Sequence, residues 1–204
     1  MRKIALLCFL LLAVTAYGDT PDQAARWHTA KLKASRTVEA DKAVALYQRT
    51  AARYRAVEAS GVPAVVTFCL HYRESSNSFT ASLAQGDPLT HKSRNVPAGR
   101  IPGKNPPYTW EECALDALAL DKMGAKDWRT VNGAFNAVEG YNGWGVWLYH
   151  RSETPSGYVT AGTNLYVRGK YSADGRWDRF AVDKQLGAMA IMLRMRERGE
   201  KLPF

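Results

Sequence analysis

The chain has 204 residues, 46% hydrophobic and 23% charged, with a formal net charge of +9 and a sequence pI of about 9.6. That length allows one medium domain with a sizeable core, and the lack of low-complexity stretches or repeats sets aside disordered and solenoid classes. The basic balance favours an anionic partner; with no compact Lys/Arg run interleaved with aromatics, the expectation is no nucleic acid, leaving anionic lipid or the acidic polymers of a bacterial wall.

Arg2 and Lys3 precede a mostly apolar run, Ile4 to Ala16, too short to span a bilayer comfortably. Together with the small residues of Ala16-Tyr17-Gly18, this reads residues 1–18 as a secretory signal, cleaved after Gly18. A secreted or periplasmic location follows, with membrane contact only during export. An uncleaved anchor and a buried N-terminal helix are the alternatives. Cleavage removes Cys8 and leaves Cys69 and Cys113, either as a disulfide that export permits or as buried free thiols.

Residues 19–60 are expected to form a helical N-terminal extension. Thr20-Pro21 supplies a cap and a first-turn proline, and a second helix runs from Thr37 through Glu58 with Gly61 as its stop. The main domain spans 61–204. It opens with Pro63 and the apolar run Ala64 to Leu70, which predicts a buried helix whose last turn carries Glu74 into a cleft. A carboxyl at an apolar helix end is poorly solvated, so its pKa rises, as a general acid near neutral pH requires. His71 is expected to pack or to orient Glu74.

Phe79 to Leu83 and Leu89 to His91 flank Gln85-Gly86-Asp87-Pro88 and read as a small β-hairpin, followed by an irregular loop from Val96 to Pro107. Thr109-Trp110-Glu111-Glu112 matches a capping box and starts a helix to about Lys122. Another helix spans Trp128 to Glu139 and is closed by Gly140-Tyr141-Asn142-Gly143, with an aromatic-rich loop to about Tyr171. The last helix is expected to start after Asp178 and end at Gly199, a central core helix through Phe180, Val182, Leu186, Met189, Ile191, Leu193 and Met195. The sum is a mainly helical α+β domain with one short sheet.

Glu74-Ser75 resembles the glutamate–serine motif of lytic transglycosylases and goose-type lysozymes, where the Glu also ends a buried helix. Gly140-Tyr141-Asn142-Gly143 resembles their Ala-Tyr-Asn-Ala-Gly segment, which lines the sugar cleft, and Tyr158-Val159 resembles their later tyrosine–valine pair. The stretches His71 to Leu89, Asn105 to Glu112 and Gly162 to Tyr166 look like prophage- and plasmid-borne lysozyme-family proteins. The likeness covers roughly residues 61–198. The Gly-Leu-Met-Gln motif of lytic transglycosylases is missing between Glu74 and Thr109, which moves weight toward a hydrolysing muramidase.

The resemblance implies a lysozyme-like fold acting on peptidoglycan glycan strands. Glu74 is the expected acid. Asp87, thirteen residues on, is the expected second carboxylate, against the plain reading of Gly-Asp-Pro as a turn. Thr90 is a candidate for holding a water. Tyr141 and Asn142 offer a flat ring and a paired donor and acceptor to an N-acetyl sugar. Tyr158, Thr163 and Asn164, with Trp144, Trp147 and Tyr149, are candidates to widen that platform. Four histidines without spaced Cys or carboxylate partners suggest no metal. No cofactor is implied, and a monomer is expected.

Overall fold

The computed structural model describes residues 19–84, 86–95, 98–173 and 175–204. The expected signal segment, 1–18, lies outside them. In chain order the elements are α1 (Gln23–Thr29), α2 (Thr37–Arg55), α3 (Ala64–Ser75), α4 (Trp110–Leu120), α5 (Val131–Asn142), α6 (Gly145–His150), α7 (Gly157–Thr160), β1 (Lys170–Ala173), β2 (Arg176–Asp178) and α8 (Ala188–Glu197). Helix, short 3-10 turns included, accounts for 49% of the described residues and a two-stranded antiparallel hairpin accompanies it, so the class is mainly helical α+β.

α3 is the central helix. Every residue from Ala64 to His71 is buried, as the apolar run requires, and Pro63 presets its entry with φ −60°. It stops because Ser76 and Asn77 both turn left-handed, at φ 52° and 56°. Asn77 is held there by its own amide, which donates to Phe68 O at 3.3 Å and to the Tyr54 hydroxyl at 3.1 Å. This stop leaves Glu74 on the final turn. α4 begins as expected: Thr109 Oγ1 accepts from Glu112 N at 3.2 Å, and Glu112 returns a carboxylate oxygen to Thr109 N at 3.0 Å.

α2 packs on α3 and α8, and its Tyr47 and Tyr54 share one core with Phe68, Trp110 and Ile191. Residues 19–60 and 61–204 therefore build a common core. Cys69 and Cys113 are both buried free thiols, with Cys113 pushed up to about 11 by burial.

Several features differ from the sequence expectation. α1 is capped by Asp22 rather than Thr20, α2 ends at Arg55, α5 starts at Val131 with Thr130 as its cap, and the expected loop to Tyr171 holds α6 and α7. The hairpin is β1–β2, pairing Lys170 with Asp178 and Tyr171 with Trp177. The 79–91 turn closes with a single bridge, Ala81 to Pro88. Pro88 has no N–H to extend a ladder, which stops strands from growing there. The final helix starts at Ala188, ten residues beyond Asp178 rather than directly after it, and Phe180 and Val182 are 67% and 51% exposed rather than in the core. Asp178 caps the N–H groups of Phe180 and Ala181, and Ala181 O accepts from Gly169 N at 2.8 Å, so this segment is spent on tertiary pairing. Gly187 then lets α8 approach α7: a Cβ there would meet Val159 O at 2.4 Å.

α1 is tied to α5 by a buried polar pair. Gln23 Nε2 donates to Glu139 Oε2 at 2.7 Å, with Arg26 at 4.0 Å. Burial raises the Glu139 carboxyl to about 7, against the opposing pull of Arg26 and Gln23. The folded state therefore holds this proton more tightly than the unfolded chain does. Stability falls as pH climbs from the ordinary carboxylate range to about 7, then levels off. Glu139→Gln should flatten that slope and raise unfolding free energy by roughly 3 kcal/mol at pH 8, with little change at pH 4. Urea unfolding of both proteins across that range measures it.

Candidate active site

Glu74 is half-buried on the last turn of α3, and its Oε1 accepts a 2.8 Å hydrogen bond from the Tyr158 hydroxyl. Tyr158 sits on α7, is 4% exposed, and carries the Arg73 guanidinium over its ring at 4.8 Å. Burial, then Glu74, pushes its phenol well above the ordinary range, so Tyr158 stays a proton donor at any physiological pH. Tyr141, at the end of α5, donates to Leu83 O at 3.5 Å. Its phenol is pushed up by burial first and then by Glu74. The three sequence motifs thus converge on one carboxylate. Asn142 is the last helical residue of α5 and is half-buried beside Gly143, whose φ of 95° ends the helix.

Arg73 points away from this cleft into the protein. Its Nη2 meets Asp183 Oδ2 at 2.5 Å, with the two side chains 7% and 6% exposed. Burial opposes both charges, yet each partner outweighs it: Arg73 is held above its ordinary value and Asp183 below. His71 is buried among Tyr54, Phe79 and Trp110. Its Nδ1 lies 2.9 Å from the Tyr54 hydroxyl, and its Nε2 accepts from the Trp110 indole at 3.0 Å. It braces the helix that carries Glu74.

The remaining predicted residues go elsewhere. Asp87 Oδ2 accepts from Arg94 N and Asn95 N, both at 3.0 Å, and Oδ1 from Asn95 Nδ2 at 2.6 Å. A carboxylate holding three loop donors brackets its turn, the plain reading of Gly-Asp-Pro, and these bonds tie Asp87 to its own loop. Thr90 is exposed and pairs with its neighbour His91 at 2.8 Å. Thr163 is buried and bonds Thr160 O at 2.8 Å. Asn164 clamps the end of α1, accepting from Lys31 N at 2.7 Å and donating to Thr29 O at 3.2 Å. Asn164 thus joins the N-terminal segment to the core, while the Thr163 hydroxyl stays within its own turn, also accepting from Leu165 N at 3.2 Å. Trp147 lies between Arg26 and Arg151, Trp144 packs on Gly140, and Tyr149 is 63% exposed.

Sequence reasoning missed Arg73, Asp183 and Asp121. Asp121 follows the apolar end of α4, and burial pushes its carboxyl up to about 6, with Lys126 opposing. It is also the second charge, after Glu74, that raises Tyr141. A carboxylate directly after an apolar helical run was its visible signal, the same one that marked Glu74. For Asp183, 110 residues from Arg73, no local signal exists. Comparison with protein-family models, curated proteins and solved structures finds no match to this chain.

Proposed function

We propose that this chain is an exported peptidoglycan hydrolase, a muramidase cleaving the β-1,4 bond between N-acetylmuramic acid and N-acetylglucosamine. The observation that carries the reading is the Tyr158 hydroxyl on Glu74 Oε1 at 2.8 Å, with Tyr141 beside them. In this reading Glu74, protonated, gives its proton to the glycosidic oxygen as the bond breaks and an oxocarbenium-like sugar forms. Tyr158 supplies a neutral donor that steadies the carboxylate left behind. Tyr141, half-buried at the end of α5, offers its ring to the sugar. Water then attacks the anomeric carbon. The net charge, +7 once Arg2 and Lys3 leave with the signal, holds the enzyme on an anionic wall through a salt-screened attraction.

A second reading gains weight from the fate of Asp87. With that carboxylate committed to its loop, Glu74 is left to act alone, as acid and then as base. That course is lytic transglycosylation, in which the muramyl 6-hydroxyl replaces water and the product is a 1,6-anhydro sugar. Mass spectrometry of purified peptidoglycan digested by the wild-type chain separates the possibilities. Reducing muropeptides support the muramidase. Anhydro muropeptides, lighter by one water, transfer the same acid to transglycosylation. No released sugar overturns the enzyme reading and leaves a wall-binding module.

A further inference from the structure

A second cavity lies beside the β1–β2 hairpin. It measures about 270 Å³ and is lined by Glu153, Thr154, Arg168, Trp177, Arg179 and Phe180. That size is just under the range of about 300–1,000 Å³ for small-molecule sites. Its walls are fixed rather than loose. Trp177 is stacked flat on His150, with ring centroids 3.8 Å apart and planes 5° from parallel. Arg168 rests over the Phe180 ring at 5.1 Å. Gly169 keeps the floor open: at φ +101°, a Cβ would stand 2.9 Å from Trp177 and 3.0 Å from Thr154.

The charges do not cancel. Glu153 is already engaged by His150 Nδ1 at 2.9 Å and by Arg179 Nη2 at 3.3 Å. Among the described residues Arg168 meets no carboxylate within 4.0 Å. Two guanidinium groups therefore line the cavity with one carboxylate that is already partly neutralised. A guanidinium offers a planar fork of N–H donors that fits carboxylate or phosphate oxygens in pairs. We propose that this cavity is an oxyanion site, taking a carboxylate or phosphate carried on a small organic group, with Arg168 as the main ligand and Arg179 as the second. The site is separate from Glu74 and does not rest on the proposed hydrolysis.

The test titrates acetate and inorganic phosphate separately, at constant ionic strength, into the ¹⁵N-labelled full chain. The Trp177 indole N–H and the arginine Nε–H signals are followed by NMR, with acetamide as the neutral control. The expected result is a saturable shift with at least one anion and none with acetamide. Arg168→Gln, an exposed substitution that leaves the fold intact, should weaken binding about tenfold or more. Glu153→Gln, which releases Arg179, should tighten it several-fold. Saturation by acetate alone identifies a carboxylate ligand, and by phosphate alone a phosphate ligand. Non-saturating drift with both anions, or an unchanged midpoint in Arg168→Gln, overturns the site. The same titration in Glu74→Gln should match wild type, so failure here and failure of wall cleavage are distinct results.

Discussion

Asp183→Asn should lower the unfolding free energy by about 3–5 kcal/mol, because it strands the buried Arg73 guanidinium without its counter-charge. Arg73 has nowhere to go. Its side chain is 7% exposed, its Nε has no partner, and its remaining acceptors are the carbonyls of Gln185 and Leu186 at 3.3 Å. A shift of the urea midpoint at unchanged slope measures the loss. Replacing both partners by apolar residues, Arg73→Met with Asp183→Leu, should recover much of it, since the cost lies in the unpaired charge and not in the missing attraction. A loss from Asp183→Asn below about 1 kcal/mol, the scale of an exposed pair, would show that the pair is wet. In the same variant the freed guanidinium, adjacent in sequence to Glu74, should favour the Glu74 carboxylate. The alkaline limb of any pH–rate profile should then move to lower pH.

Glu74→Gln should cut sugar release from peptidoglycan by about 10²–10⁴-fold, the range removed with a general acid, while the thermal midpoint changes little. Tyr158→Phe grades the effect. It deletes the 2.8 Å donor to Glu74 Oε1 and leaves the ring under Arg73 in place. A hydrogen bond to the charged form favours that form, so its loss should raise the Glu74 pKa above the wild-type value. The alkaline limb should then move to higher pH, opposite to Asp183→Asn. Activity at neutral pH should then fall less than at low pH, because the raised pKa keeps more of Glu74 protonated there. Equal pH profiles for wild type and Tyr158→Phe would separate Tyr158 from the chemistry. Wild-type rates in Glu74→Gln would remove Glu74 as the acid.

Much of the scaffold was legible in local pattern. Pro63 with an unbroken apolar run gave α3 and placed Glu74 on its last turn, and Thr109 with Glu112 gave the start of α4. Such signals work because helix entry, capping and burial are set by residues three or four apart. They were weaker where one residue type serves two ends. Gly-Asp-Pro fits both a catalytic hairpin and a bracket, and the bracket is what forms, because Asp87 finds the Arg94 and Asn95 amides within its own loop.

Local pattern was enough for the helical core, the Thr109–Glu112 capping box and the chemical kinds of residue at positions 74, 141 and 158. Which of them meet was settled by long-range packing. Tyr158 reaches Glu74 across 84 residues, and Asp183 reaches Arg73 across 110. It also moved the sheet to 170–178 and drew Phe180 and Val182 out of the last helix, since the backbone of 181 is paired with Gly169. The reason is common to all of these. A hydrogen bond or ion pair between distant segments leaves no period in the chain, and its strength comes from the desolvated place that folding creates.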